Sequence, residues 1–179
     1  MYEPSKPFSF WRTSDAFTQE LSHYLQGKQV LEIFAGNGLL ASLLSKNGVS
    51  IVSTSLFSEY DRSSIHKFHP VIEMDAMTAI RKYGSQSDVL LMVWPEATPV
   101  ALNAALEFTL LGDDLPHQRE IVFIGEKTDY AKNILGGCAT DEFFELFSTI
   151  KHSFKYEGNR AEVAQALTMT EPQNRSCVA

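Results

Sequence analysis

The side chains able to do chemistry in this chain stand at the ends of short apolar runs. Glu32 interrupts the run Val30-Leu31-Glu32-Ile33 and is followed at once by Phe34-Ala35-Gly36-Asn37-Gly38. Ser55, Asp75, Glu96 and Glu126 each follow or close a later run. An apolar run, a turn with two glycines and a helix-like pattern from Leu39 read as a buried strand, a tight turn and a helix N-terminus. Glycine lets the backbone come close to a ligand, and a helix N-terminus presents N–H groups that lack intrahelical partners. A nucleoside-containing cofactor is the natural occupant of such a turn. Glu32, a lone acid in an apolar strand, suits a ligand that carries a cationic amine. Each acid also has an ordinary role open to it, because a carboxylate just ahead of a helix favours that helix's N-terminus.

These residues need elements to position them. Ser14 suits an N-cap for a helix whose Phe17, Leu21, Tyr24 and Leu25 share one face, with Gly27 ending it. Strands are expected at Val30–Phe34, Val49–Ser53, Val71–Met74, Val89–Trp94 and Ile121–Ile124. Helices are expected at Leu39–Ser45, Ala76–Lys82 and Pro99–Leu111, after Thr140, and as a short piece at Glu59–Phe68; Gly112-Asp113-Asp114 turns the chain. Two further strands are expected around Phe154–Tyr156 and at Glu162–Thr168, joined at Gly158-Asn159 without room for a crossover helix. Continuous apolar strands alternating with helices indicate a parallel sheet covered on both faces, and the short last connection indicates an antiparallel hairpin at its edge. The expected fold class is therefore a three-layer, Rossmann-like α/β sandwich with a mostly parallel seven-stranded sheet and an antiparallel C-terminal hairpin. Ligands of such sheets bind beyond the carboxyl ends of the strands, where the acids gather.

Composition sets bounds on function. The chain has 179 residues, 44% hydrophobic and 21% charged, which suits one domain with a real core. We expect an N-terminal arm at residues 1–13 with Phe8, Phe10 and Trp11 packed on the domain, a single cofactor-binding domain at 14–170 and a flexible tail at 171–179. No apolar run is long enough for a bilayer span and Met1–Pro7 has no signal-peptide core, so a cytoplasmic protein without membrane association is expected. Its net charge of -7 argues against general nucleic-acid binding, which needs a basic surface. Cys138 and Cys177, the only cysteines, make neither a disulfide framework nor a zinc site.

At this point the chain resembles the class I S-adenosylmethionine-dependent methyltransferases. The resemblance covers residues 14–170 as an order of elements and rests on three segments. Glu32 through Gly38 resembles the glycine-rich first motif, which implies cofactor contacts by Glu32, Phe34, Ala35, Gly36, Asn37 and Gly38. Asp75-Ala76 resembles the acidic site that receives the adenine amino group. Asp88 through Glu96 resembles the fourth motif, whose strand ends beside the transferred methyl. That motif places Trp94 near adenine or substrate, or as a plug of the strand end, and makes Glu96 the candidate base. The family often has glycine where Phe34 stands, and it usually has a ribose-binding acid where Ser55 stands; Glu59 or Asp61 would reach back instead, or the ribose would be held more weakly. The signatures of nucleic-acid base methylation are absent from the fourth motif. The expected function is methyl transfer from S-adenosylmethionine to a small-molecule or protein acceptor, with no metal. The alternative is a cofactor-binding or interaction protein of the same fold that transfers nothing.

Other patterns compete. Gly36 to Ala41 fits G-x-G-x-x-A, a dinucleotide fingerprint, but that reading wants an acid at the position of Ser55. His66 and His69 could bind a metal with Asp61 or Glu73, although Pro70 argues against helix there and a polar turn is the ordinary reading. Cys138 precedes a helix start, which can activate a thiol, yet cysteine is commonly buried as a small hydrophobe. Phe143, Phe144 and Phe147 read as the buried face of the last helix. Acceptor recognition is expected from the N-terminal arm, Thr54–Pro70 and Lys127–Ala139.

Overall fold

A computed structural model describes residues 13–57, 67–111 and 118–170. The arm aromatics Phe8, Phe10 and Trp11, most of the expected helix at Glu59–Phe68 with Asp61 and His66, the turn at Gly112-Asp113-Asp114, the tail and Cys177 lie outside the described residues.

The elements run α1 (Asp15–Leu25), β1 (Gln29–Ile33), α2 (Leu39–Lys46), β2 (Ser50–Ser55), β3 (Val71–Glu73), α3 (Ala76–Tyr83), β4 (Val89–Val93), α4 (Val100–Leu110), β5 (Glu120–Glu126), α5 (Asp141–Leu146), β6 (Thr149–Ser153) and β7 (Glu162–Thr168). The strands form one sheet in the order β3-β2-β1-β4-β5-β7-β6. The first five are parallel, and β7 lies antiparallel between β5 and β6. The chain winds outward from β1 to β3, then returns to lay β4 on the other side of β1. The order reverses between β1 and β4, and sheets of this kind bind ligands in the crevice beyond the carboxyl ends of the strands at such a point.

Alternate strand residues face opposite layers. Val30, Leu91 and Val122 pack with Phe17, Leu21, Leu40 and Leu44 of α1 and α2, whereas Leu31, Leu90 and Ile121 pack with Ile80, Phe108 and Phe143 of α3, α4 and α5. Ser14 caps α1 as expected, its hydroxyl accepting from Phe17 N–H at 3.2 Å.

One expected strand is displaced. The sixth is Thr149–Ser153, not Phe154–Tyr156. Phe154 and Tyr156 follow it and stack edge-on against Phe17, with ring centroids 6.3 and 5.0 Å away. These aromatics serve the α1 interface, and the true strand, at the sheet edge, is mostly exposed. The last helix ends at Leu146, so Phe147 caps it, although Phe143 and Phe147 are buried as expected.

Opposite the crevice, buried Arg119 ties helix ends together. Its guanidinium donates to Phe108 O and Gly84 O, both at 2.9 Å, and also to Leu111 O and Ser87 O. Its carbon lies 3.9 Å from the Phe108 ring centroid. The carbonyls at the ends of α3 and α4 carry the negative end of each helix dipole and suit a cation.

Candidate functional site

The turn after β1 is the centre of the crevice. Phe34, Gly36 and Gly38 all have left-handed backbones, with φ of 62°, 55° and 74°. That conformation costs an ordinary L-residue about 1–2 kcal/mol, so the two glycines are conformational necessities and Phe34 is strained. The glycines differ in surroundings. A Cβ at Gly38 would stand 2.7 Å from Val71 Cγ2 and 3.0 Å from His69 Cβ, whereas one at Gly36 would meet nothing within 4 Å. Gly38 is wedged against the lead into β3; Gly36 faces open space.

The turn is built before any ligand arrives. Ala35 N–H donates to Thr54 O at 3.1 Å, Gly36 N–H to Ser55 Oγ at 3.2 Å and Gly38 N–H to Ala35 O at 2.9 Å. Leu39 N–H donates to Asn37 Oδ1 at 3.2 Å. The expectation of unpaired donors here is corrected by these bonds: four of the turn's N–H groups are already engaged.

Three consecutive hydroxyls of β2 support this end of β1. Ser53 donates to Glu32 Oε2 at 2.6 Å, Thr54 to Glu32 O at 3.2 Å, and Ser55 accepts from Gly36. Only the position of Ser55 was singled out from sequence; Ser-Thr-Ser closing an apolar run is the signal that marks the other two. Glu32 itself is fully buried, and its Oε1 has no hydrogen-bond partner. Burial pushes its carboxyl up to about 7, against the opposing hydrogen bond from Ser53.

The other rim residues follow the sheet order. Asp75, exposed beyond β3, is the N-cap of α3 and accepts from Thr78 N–H at 2.9 Å. That bond holds its carboxyl below the usual carboxylate range. Ala76 is buried behind it. Trp94 follows β4 with φ 56° and donates its N–H to Ile124 O at 2.7 Å. Two bulky aromatics, Phe34 and Trp94, thus hold strained backbones at the ends of adjacent strands, a pattern that clusters at ligand sites. Neither conformation is legible from residue type. Glu96 is exposed and forms a bridge pair with Cys138, and Glu126 Oε2 accepts from Gly137 N–H at 3.0 Å.

Cys138 is buried against Gly125, and burial raises its thiol to about 11. Cys138 is thus the small buried hydrophobe of the two readings, packed into the core. Among the described residues no three His, Cys, Asp or Glu side chains gather as they would around an ion, and no helix is long and apolar enough to cross a membrane.

The structure therefore brings Asp75, Ser55, the Phe34–Gly38 turn, Trp94, Glu96 and Glu126 onto one carboxyl rim, in that order across the sheet. Solved structures share this architecture. A mutant of MtNAS in complex with S-adenosylmethionine is 15% identical, with a TM-score of 0.55 over 84% of this chain and 58% of that one. The S-adenosylmethionine-dependent methyltransferase SibL is 11% identical, with a TM-score of 0.54 over 85% and 54%. The Burkholderia thailandensis 1,6-didemethyltoxoflavin-N1-methyltransferase, solved with its acceptor and S-adenosylhomocysteine, is 14% identical, with a TM-score of 0.51 over 88% and 80%. The chain spans little more than half the length of the first two. No protein-family model and no curated protein matches it. At these identities the likeness is one of fold alone, a Rossmann-like α/β sandwich that this chain shares with these structures.

Proposed function

We propose that this chain is an S-adenosylmethionine-dependent methyltransferase acting on a small-molecule or protein acceptor. The observation that carries the reading is the pre-built turn, open at Gly36, at the end of β1 where the strand order of the sheet reverses. The residues fit the cofactor in that a Cβ-free face at Gly36 would admit its amino-acid end, while Glu32, fully buried at the end of β1, would act on it through the strand end that it braces against Ser53. Phe34, Ala35, Asn37 and Gly38 complete that cradle. Asp75 and Ala76 would receive the adenine, and Trp94 would stack beside it.

When bound, the cofactor supplies an activated methyl carbon, so the protein's work is mainly alignment. In this reading Glu96, exposed after β4, would take a proton from the acceptor. We expect Glu96→Gln to lower methyl transfer about a hundredfold, the scale of general-base catalysis, while cofactor affinity holds. Transfer of labelled methyl from the cofactor checks this; unchanged turnover would remove the base role. The negative net charge favours such acceptors over nucleic acid, and a cytoplasmic setting is consistent with the free thiol of Cys138.

Ser55 favours a second reading. Its hydroxyl is committed to the turn, so the end of β2 offers ribose no carboxylate. A sensor that binds the cofactor without transferring methyl would tolerate that loss. The same serine disfavours a dinucleotide oxidoreductase.

A further inference from the structure

The segment Gly136-Gly137-Cys138, just ahead of α5, is a strap laid across the carboxyl rim. One side of it lies on the end of β5. Gly136 N–H donates to Thr128 Oγ1 and Gly137 N–H to Glu126 Oε2, each at 3.0 Å. Buried Cys138 follows, its Sγ 3.1 Å from where a Gly125 Cβ would stand. The other side meets the segment after β4, where Cys138 and Glu96 pair in an isolated antiparallel bridge.

The glycines show how close the fit is. A Cβ on Gly136 would stand 2.6 Å from Lys127 C, 2.7 Å from Thr128 N and 2.8 Å from Glu126 C, and one on Gly137 would stand 2.9 Å from Glu126 Oε2. The atoms facing Gly136 belong to the main chain and cannot swing aside. Two polar anchors thus hold a strand of backbone that only glycine lets come so near.

Glu96 depends on this strap. Its side chain is exposed, and among the described residues it takes part in no hydrogen bond or ion pair. Its main chain is held instead, by Thr98 N–H donating to its carbonyl at 2.8 Å and by the bridge to Cys138. The first is a local turn and travels with the segment; the second ties that segment to β5.

We infer that Glu126 and Thr128 are positioning residues: they hold the strap, and the strap holds Glu96 at the rim. The inference rests on the methyltransferase reading for what Glu96 does there; the mechanical link stands without it. Glu126 also stands directly opposite Glu162 in the β5–β7 register, where like charges repel, so a neutral acceptor in its place keeps the strap at no loss of stability.

Two double variants test this in the ligand-free full chain. Glu126→Ala/Thr128→Val removes both acceptors, and Glu126→Gln/Thr128→Ser keeps both. The first should speed amide hydrogen exchange at Gly136 and Gly137 about tenfold, the scale of one lost hydrogen bond, and move the amide resonances of Cys138 and Glu96. The second should match the natural sequence at all four positions, at an unchanged or higher Tm. Exchange that is unchanged, or faster only at the two glycines with Glu96 unmoved, overturns the inference. Transfer of labelled methyl from S-adenosylmethionine to the small molecules and proteins of a cell extract is the second readout. The Ala/Val variant should transfer about tenfold more slowly at unchanged cofactor affinity, and should cost nothing further when added to Glu96→Gln; additive losses overturn the positioning role. If Glu96 moves with the strap but the natural sequence transfers no methyl, the link stands and the methyltransferase reading falls. If methyl is transferred and Glu96 does not move, only the positioning inference fails.

Discussion

Glu32 gives the site a pH dependence with a definite sign. Its carboxyl titrates near 7 when folded against a reference of 4.5. The folded state therefore holds a proton that the unfolded state has lost, and stability falls as pH rises from 4.5 through 7. The shift corresponds to about 3 kcal/mol. Glu32→Gln should flatten the decline in Tm between pH 5 and 8 and raise Tm at the upper end; an unchanged slope would contradict the assignment. The glycines make a second pair of tests. Gly38→Ala adds a clash with Val71 to left-handed strain and should cost about 2–4 kcal/mol in urea unfolding. Gly36→Ala meets only strain, about 1–2 kcal/mol, yet should weaken cofactor binding more than its stability cost implies. Glu32 and the two glycines were visible in sequence because an acid in an apolar strand and paired glycines after it are rare combinations. The hydroxyls of Ser53 and Thr54 were not, since serine and threonine fit almost any setting until their partners are placed. Nor was the left-handed turn at Trp94, a residue type that seldom adopts it.

At the scale of elements, the strands that contact the core on both faces could be read from their unbroken apolar runs: β4 is buried at every position. The edge strand β6 could not, because four of its five residues are exposed and the fifth is His152, so that it resembles a loop, while Phe154 and Tyr156 beside it carry the apolar signal and spend it on α1. Glu20 fixes that junction from the helix side, accepting from Lys155 N–H at 2.9 Å and lying 3.0 Å from His152 Nε2. Arg119 was equally hidden: one basic residue ahead of a strand gives no hint that four carbonyls await it. Because its charge is buried and fully engaged, Arg119→Ala leaves those carbonyls unsatisfied and should destabilise the domain by about 3–5 kcal/mol. Denaturant unfolding checks this, and a loss well under 1 kcal/mol would mean that water replaces the guanidinium without difficulty.

For the whole molecule, alternation of strand and helix in sequence was enough to predict a doubly covered sheet closed by an antiparallel hairpin, and the observed order places β1 and β4 side by side at its centre. Which ligand fills the crevice between them depends on few residues, among them Phe34, which holds a left-handed backbone, and Ser55, whose hydroxyl is committed to the turn. Isothermal titration of the full chain with S-adenosylmethionine tests the account most directly. We expect saturable one-to-one binding that Gly36→Val abolishes while the variant remains folded. An absence of heat and of any thermal shift at saturating cofactor, from protein with an intact unfolding transition, would contradict it.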